Sequence, residues 1–143
     1  MEQVEIKFKK LSENAQLPKR NRPSDTGIDV FSAENTWIPA RGSCNVETGL
    51  SFAYIPKEYW IRIESRSGLG FKHGVQAFPG IIDSSYRGSA AIKLQNHSDT
   101  DYEVKIGDRI AQLVLYKNYD VSVEFGEIES SDRGADGFGS SGR

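Results

Sequence analysis

Apolar and polar residues alternate with a period of two through much of the chain. Val4-Glu5-Ile6-Lys7-Phe8, Trp60-Ile61-Arg62-Ile63-Glu64 and Val121-Ser122-Val123-Glu124-Phe125 each put their apolar side chains on one face, the mark of a half-buried strand. Ile110-Ala111-Gln112-Leu113-Val114-Leu115-Tyr116 predicts a more deeply buried strand, and Ser89-Ala90-Ala91-Ile92-Lys93-Leu94 another. Between these runs, Pro39-Ala40-Arg41-Gly42, Asn96-His97-Ser98-Asp99 and Ile106-Gly107-Asp108 supply residues that tolerate tight-turn backbone angles. There is no long amphipathic helix and no internal repeat. Residues 67–73 could form one short helical turn, but two glycines oppose anything longer. Short strands with regular punctuation predict an all-β jelly roll or barrel.

The two remaining stretches differ in character. Residues 12–27 are polar, contain two prolines and predict a loop. Residues 130–143 hold four glycines and four serines around the single aromatic Phe138. So little apolar surface favours a frayed tail on composition alone. Phe138 with Arg133 five residues upstream also suits a lid that orders on a ligand.

Composition narrows the class. A chain of 143 residues fits one domain, and 37% hydrophobic residues is low for a fully self-contained globule, so oligomerisation would help it. A formal charge of −2, from 20 acidic and 18 basic residues, gives no global field for nucleic acid. An anionic substrate would need locally placed arginines and a metal. The lone Cys44 excludes an intrachain disulfide framework and fits a reducing compartment. The N-terminal residues resemble no signal peptide, and no apolar run approaches bilayer length. The expectation is a soluble cytoplasmic protein without membrane contact, with a nuclear or virus-encoded setting left open.

Several residues invite chemistry. Arg66-Ser67-Gly68-Leu69-Gly70 sets a guanidinium and a hydroxyl beside glycines, a recipe for presenting N–H groups to an anion. Arg133, Gly139, Ser140, Ser141 and Gly142 repeat it, and two such segments in one small chain suggest a polyphosphate. Asp83 ends the apolar Gly80-Ile81-Ile82 beside Ser84, Ser85 and Tyr86, where a carboxylate can deprotonate a water; the alternative is a turn-capping aspartate. Asp29, within Gly27-Ile28-Asp29-Val30, is either a metal-directed carboxylate or half of a structural Asp–Arg pair. His73 and His97 make no zinc set, so a metal here would be a hard cation on carboxylate, water and phosphate, which describes magnesium. No P-loop, dinucleotide fold signature or serine nucleophile elbow is present.

In order, these segments resemble the five motifs of the trimeric dUTP pyrophosphatase family. Asp25-Thr26-Gly27-Ile28-Asp29-Val30 is similar to the first, Arg66-Ser67-Gly68-Leu69 to the second, and Gly80-Ile81-Ile82-Asp83-Ser84-Ser85-Tyr86-Arg87-Gly88 to the third. Gly107-Asp108-Arg109-Ile110-Ala111-Gln112-Leu113 resembles the fourth, and the glycine-rich run from Arg133 to Gly142 the fifth.

The resemblance implies a distorted jelly roll of the β-clip kind, with strand exchange in a homotrimer whose active sites are shared. The β domain would span residues 1–129 and a lid residues 130–143. The substrate would be dUTP, cleaved to dUMP and pyrophosphate with Mg2+, which keeps uracil out of DNA. Uracil would be read by main-chain groups around Gly80 and Ile82 in a hairpin over residues 73–87, with Tyr86 beneath the deoxyribose. Asp83 would activate the attacking water, and Asp29 would hold magnesium through water. Arg66, Ser67, Gly68 and Gln112 would contact phosphates. Arg133, Gly139, Ser140 and Ser141 would clamp the terminal phosphates, with Phe138 stacked over uracil.

Two departures stand out: Ala77 where several relatives carry a loop-bracing Asn, which would leave Phe78 and Pro79 to stiffen the hairpin, and Asp25-Thr26 where small alanines are frequent. The rival dCTP deaminase needs a glutamate where this chain has Lys93. A non-catalytic nucleotide sensor on the same fold is the rival from another class.

Overall fold

The computed structural model describes residues 1–137 and Gly139. Among them, eleven strands and one helix form, and every strand pair is antiparallel. β1 (Lys7–Lys10) pairs with β5 (Leu50–Tyr54), and β3 (Thr36–Ile38) with β10 (Tyr102–Val104). A four-stranded sheet runs β2 (Ile28–Phe31), β11 (Arg109–Lys117), β6 (Tyr59–Glu64), β8 (Gly80–Ile82). A three-stranded sheet runs β4 (Ser43–Val46), β9 (Ile92–Asn96), β7 (Val75–Ala77). The helix α1 (Ser67–His73) follows β6.

Alternation decides which side chains turn inward. In β9, Ile92, Leu94 and Asn96 are buried while Lys93 is exposed. Phe52, Ile38, Ile61, Ile92, Leu94 and Ile110 anchor one core, each burial contributing about 1.5–3 kcal/mol. Asn96 is buried without cost because its carboxamide is fully bonded. It donates to the carbonyls of Ile38 (3.1 Å) and Thr100 (2.8 Å) and accepts from the Ser98 amide (3.0 Å) and hydroxyl (2.7 Å).

β11 breaks the alternation. Its register against β2 shifts between Arg109 and Ala111, so the consecutive Ile110 and Ala111 both face the core. A bulge of this kind re-aims the residues around it. Arg109 and Gln112, three positions apart, therefore line one cavity instead of opposite faces.

The all-β expectation holds, with four differences in detail. The helix over residues 67–73 is longer than one turn, held by buried Leu69 and ended by Gly74 in the left-handed conformation. The 89–94 run becomes a strand only from Ile92, with Ser89 in an isolated bridge to Ser51.

The hairpin expected over residues 73–87 does not form: β7 pairs with β9 and β8 with β6. The chain changes sheets at Phe78-Pro79, where Phe78 makes the last bond to β9 (N–H to the Lys93 carbonyl, 2.8 Å) and Pro79 has no N–H to continue. Finally, residues 4–6 and 121–125 have strand patterns but no strand partner among the described residues; Val121 and Phe125 are 75% and 107% exposed.

Candidate active site

The residues singled out from the sequence fall into two clusters. The first lies where β2, β11 and β6 meet. Register sets Gln112 of β11 opposite Asp29 of β2 and Glu64 of β6, and the chain continues from Glu64 through Ser65 into Arg66 and Ser67 at the start of α1. A cavity of about 320 Å³ is lined by Asp29, Arg66, Ser67, Arg109 and Gln112, with Asn21, Asp25, Thr26 and Gly27 on the loop side. A second, more apolar cavity of about 490 Å³ adjoins it through Arg66, Ser67 and Gln112 and extends to Phe71, Gln76 and His97.

Asp29 is 8% exposed and held by two arginines, Arg66 Nε at 3.3 Å and Arg109 Nη1 at 3.8 Å. The structural Asp–Arg pairing weighed from the sequence is thus real. A carboxylate this buried requires such partners. Gln112 is fixed on two sides: its Nε2 donates to the Ser65 carbonyl at 2.9 Å, and its Oε1 occupies the space where Gly27 lacks a side chain. A Cβ on Gly27 would lie 1.8 Å from that oxygen. At Gly68, by contrast, a Cβ would meet nothing within 4 Å, so its backbone faces open space. Beside the cluster, burial and then the nearby Asp108 raise the Tyr102 hydroxyl above its usual range of 10.0, with Arg66 opposing.

The second cluster holds Gly80, Ile82, Asp83 and Tyr86. β8 is an edge strand, so one side of its backbone carries N–H and C=O groups without a strand partner. Asp83 is exposed and opens a turn closed by the Tyr86 amide on its carbonyl (3.0 Å). The Arg87 guanidinium clamps that turn through the carbonyls of Ser84 (2.7 Å) and Tyr86 (2.9 Å). Tyr86 rests on Phe52, ring centroids 5.8 Å apart, and its hydroxyl donates to the Ser89 carbonyl at 2.9 Å. Gly88 is needed here, since a Cβ would approach the Tyr86 hydroxyl to 2.3 Å.

Gly80 stands opposite Ile63, next to the Glu64–Gln112 pair, but one chain does not bring Asp83 to the phosphate cluster. Ile82 stands opposite Ile61, so Asp83 lies level with Trp60, whereas Arg66 lies six residues along, about 20 Å away at ~3.3 Å per residue. Arg133 is exposed and bonds the carbonyl of its own Asp136. Gly139 has φ 85°, while Phe138, Ser140 and Ser141 lie outside the described residues.

Arg109 and the loop residues Asn21, Asp25 and Thr26 also wall the cavity, a role that their motifs alone do not assign. The adjacent apolar pair Ile110-Ala111, which interrupts period two, was the available signal for the bulge that recruits Arg109.

Two guanidinium groups, a carboxamide and a hydroxyl thus surround a buried carboxylate at one end of a small all-β protein. A family model described as dUTPase matches residues 13–142. A deoxyuridine 5'-triphosphate nucleotidohydrolase of Arabidopsis thaliana is 47% identical over 139 residues, covering 96% of this chain and 82% of its own length. Among solved structures, a Staphylococcus bacteriophage 80alpha dUTPase variant with dUpNHpp superposes with a TM-score of 0.88 at 30% identity, covering 97% of this chain and 99% of that one. A variant of the dUTPase from phage phi11 of S. aureus, described as revealing the coordination of a structural Mg(II) ion, has a TM-score of 0.79 at 26% identity, covering 89% and 99%. The chain belongs to the dUTPase family. Its fold is the jelly-roll-like β fold of that family.

Proposed function

We propose that the chain hydrolyses dUTP to dUMP and pyrophosphate, in a homotrimer whose active sites draw on more than one copy. The observation that carries this reading is the division of the site. The Asp29, Arg66, Ser67, Arg109 and Gln112 group and the Asp83, Tyr86 group sit at opposite ends of one sheet. Only the phosphate end of one copy meeting the Asp83 end of another completes a site. The unpartnered strand patterns at residues 4–6 and 121–125 support the same assembly: an apolar cavity of about 190 Å³ beside Val4, Ile6 and Phe8 offers the 121–125 segment of a neighbour an edge to join.

In this reading uracil pairs with the free backbone edge of β8 at Gly80 and Ile82, where thymine's methyl is excluded by contact and cytosine by its reversed donor pattern. Tyr86, immobilised by Phe52 and Ser89, walls off the sugar's 2′ position. The Asp83 carboxylate takes a proton from a water whose oxygen attacks the α-phosphorus in line. The bond to the bridging oxygen of the β-phosphate breaks, and pyrophosphate leaves with that electron pair. Arg66, Ser67, Gly68 and Gln112 bind the phosphates. Arg133, Gly139, Ser140 and Ser141 close over them as a lid, with Phe138 on the base.

The cavity wall carries Arg66 and Arg109 against Asp29 and Asp25, an even balance that gives a triphosphate no net attraction. A cation and the tail arginine supply what is lacking. No group of three or more His, Cys, Asp or Glu that could hold a metal occurs among the described residues. The donor set therefore fits Mg2+ bound chiefly by phosphate and water, with Asp29 reaching it through water, and the ion would neutralise charge on the departing pyrophosphate. A solved relative described with a structural Mg(II) ion agrees with that choice of metal.

Against deamination, Lys93 is exposed with its ammonium 5.0 Å from the Phe78 ring centroid, a setting for a cation rather than a proton shuttle. No helix among the described residues is long and apolar enough to cross a membrane; the free Cys44 fits the reducing cytoplasm in which we place the activity. The test is pyrophosphate release from dUTP, dTTP, dCTP and UTP with and without Mg2+. Turnover confined to dUTP with the metal is expected; UTP cleaved as fast as dUTP would refute the role given to Tyr86.

A further inference from the structure

Ser65 follows β6 at the phosphate end of the site and also reaches the strand that leads into β8. Its carbonyl accepts from Gln112 Nε2 at 2.9 Å, on the phosphate side. Its hydroxyl accepts from the Ala77 amide at 2.9 Å and donates to the Ala77 carbonyl at 3.2 Å. Ala77 ends β7, the edge of the three-stranded sheet, and is 2% exposed. In an antiparallel edge strand, alternate residues turn both backbone groups away from the paired neighbour. At a buried position those groups must still find partners. One hydroxyl thus takes the place of a missing strand and joins the end of β6 to the last residue before the chain crosses at Phe78-Pro79 into β8. The loop brace that the sequence reading found lacking at Ala77 is supplied from outside the loop, by Ser65.

We propose that Ser65 is a positioning residue for both halves of the site, holding the Gln112 carboxamide toward phosphate and the root of the Gly80–Ile82 edge toward the base. The inference rests on the dUTP-hydrolysing reading. The path runs from Gln112 to the Ser65 carbonyl, then from the Ser65 hydroxyl to Ala77, three residues before Gly80, beside the β6–β8 pairing of Ile63 with Gly80. In the proposed trimer the two halves of one chain serve neighbouring sites, so Ser65 links one site's phosphate grip to the next site's base pocket.

The test uses the full-length protein with Ser65→Ala, Ser65→Thr and Ser65→Val, and reads dUMP and pyrophosphate as separate probes of the two halves by calorimetry, beside KM and kcat for dUTP. Ser65→Ala should weaken dUMP and pyrophosphate each by about 2- to 10-fold, the range for one lost hydrogen bond, and raise KM for dUTP. Thr, which keeps the hydroxyl, should restore both to within about twofold, whereas its isostere Val should not. Unchanged affinities in a folded Ser65→Ala protein, weakening of only one product, or failure of Thr to restore binding overturns the proposal. If neither Ala nor Val gives a folded protein while Thr does, the hydroxyl serves folding alone and the proposal falls. Wild-type turnover of dUTP is measured first: its absence refutes the proposed function and this inference with it, whereas active wild type with indifferent Ser65 variants refutes only Ser65's role.

Discussion

Replacing Asp29 by Asn separates two jobs that the carboxylate performs. It neutralises Arg66 and Arg109, and it keeps their charge from acting on phosphate. At 3.3 and 3.8 Å and an effective dielectric near 20, the two attractions are about 5 and 4 kcal/mol before desolvation. Breaking a fully buried pair costs about 3–5 kcal/mol, but these arginine side chains are 28% and 42% exposed and water can replace part of the loss. The net destabilisation should be about 1–2 kcal/mol, a fall in Tm of roughly 3–6 °C for a domain of this size.

Binding should move the other way. Removing one negative charge about 6 Å from a phosphate strengthens metal-free pyrophosphate binding by ~1.4–2.8 kcal/mol at dielectrics of roughly 20–40, or about 10- to 100-fold. Calorimetric titration of pyrophosphate in excess chelator, with thermal melting of the same samples, reads both effects. The magnesium-dependent gain seen in wild type should shrink in the variant. A variant that melts lower and also binds metal-free pyrophosphate more weakly would refute this reasoning, because Asp29 would then be holding the arginines in binding geometry rather than restraining their charge.

Asp83→Asn should keep dUMP affinity within about twofold and lower kcat by about 10²–10⁴, measured by pyrophosphate release; wild-type turnover would mean that another group activates the water. Gly27→Ala must expel the Gln112 carboxamide from its seat, so KM for dUTP should rise roughly 10-fold while dUMP affinity holds, and an unaltered KM would show that Gln112 binds nothing from that position. Deleting residues 132–143 should leave the thermal transition in place and remove most activity, whereas a fully active truncation would dispose of the lid.

The strands were legible because a face turned to the core leaves a period of two in the sequence, as in β6 and β9. The same pattern at residues 121–125 speaks of a need for burial and is silent about what supplies it, which is why it predicts a strand where none forms among the described residues. Asp29, Arg66 and Gln112 could be given site roles from motif order; Arg109 lies in the fourth motif too, but nothing local turns it toward the cavity. Its membership depends on a register shift at Ile110, and register belongs to pairing between β2 and β11 rather than to either segment. The hairpin that the family resemblance implied over residues 73–87 fails for a related reason, since β7 and β8 find partners in different sheets. The contact of Ser65 with Ala77 joins residues twelve apart across that change of sheet, and no local pattern encodes it.

A solitary copy of this chain would be an uneasy solute. Val121, Val123, Phe125 and Ile128 are between 75% and 107% exposed, on a stretch with the alternation that sticks most readily to other strand edges. If the proposed trimer covers that stretch, dilution, which protects most proteins from clumping, should here do harm by exposing it. On that proposal, storage at high concentration becomes the gentler condition, and the moments after synthesis, before companions are found, the most hazardous in the molecule's life.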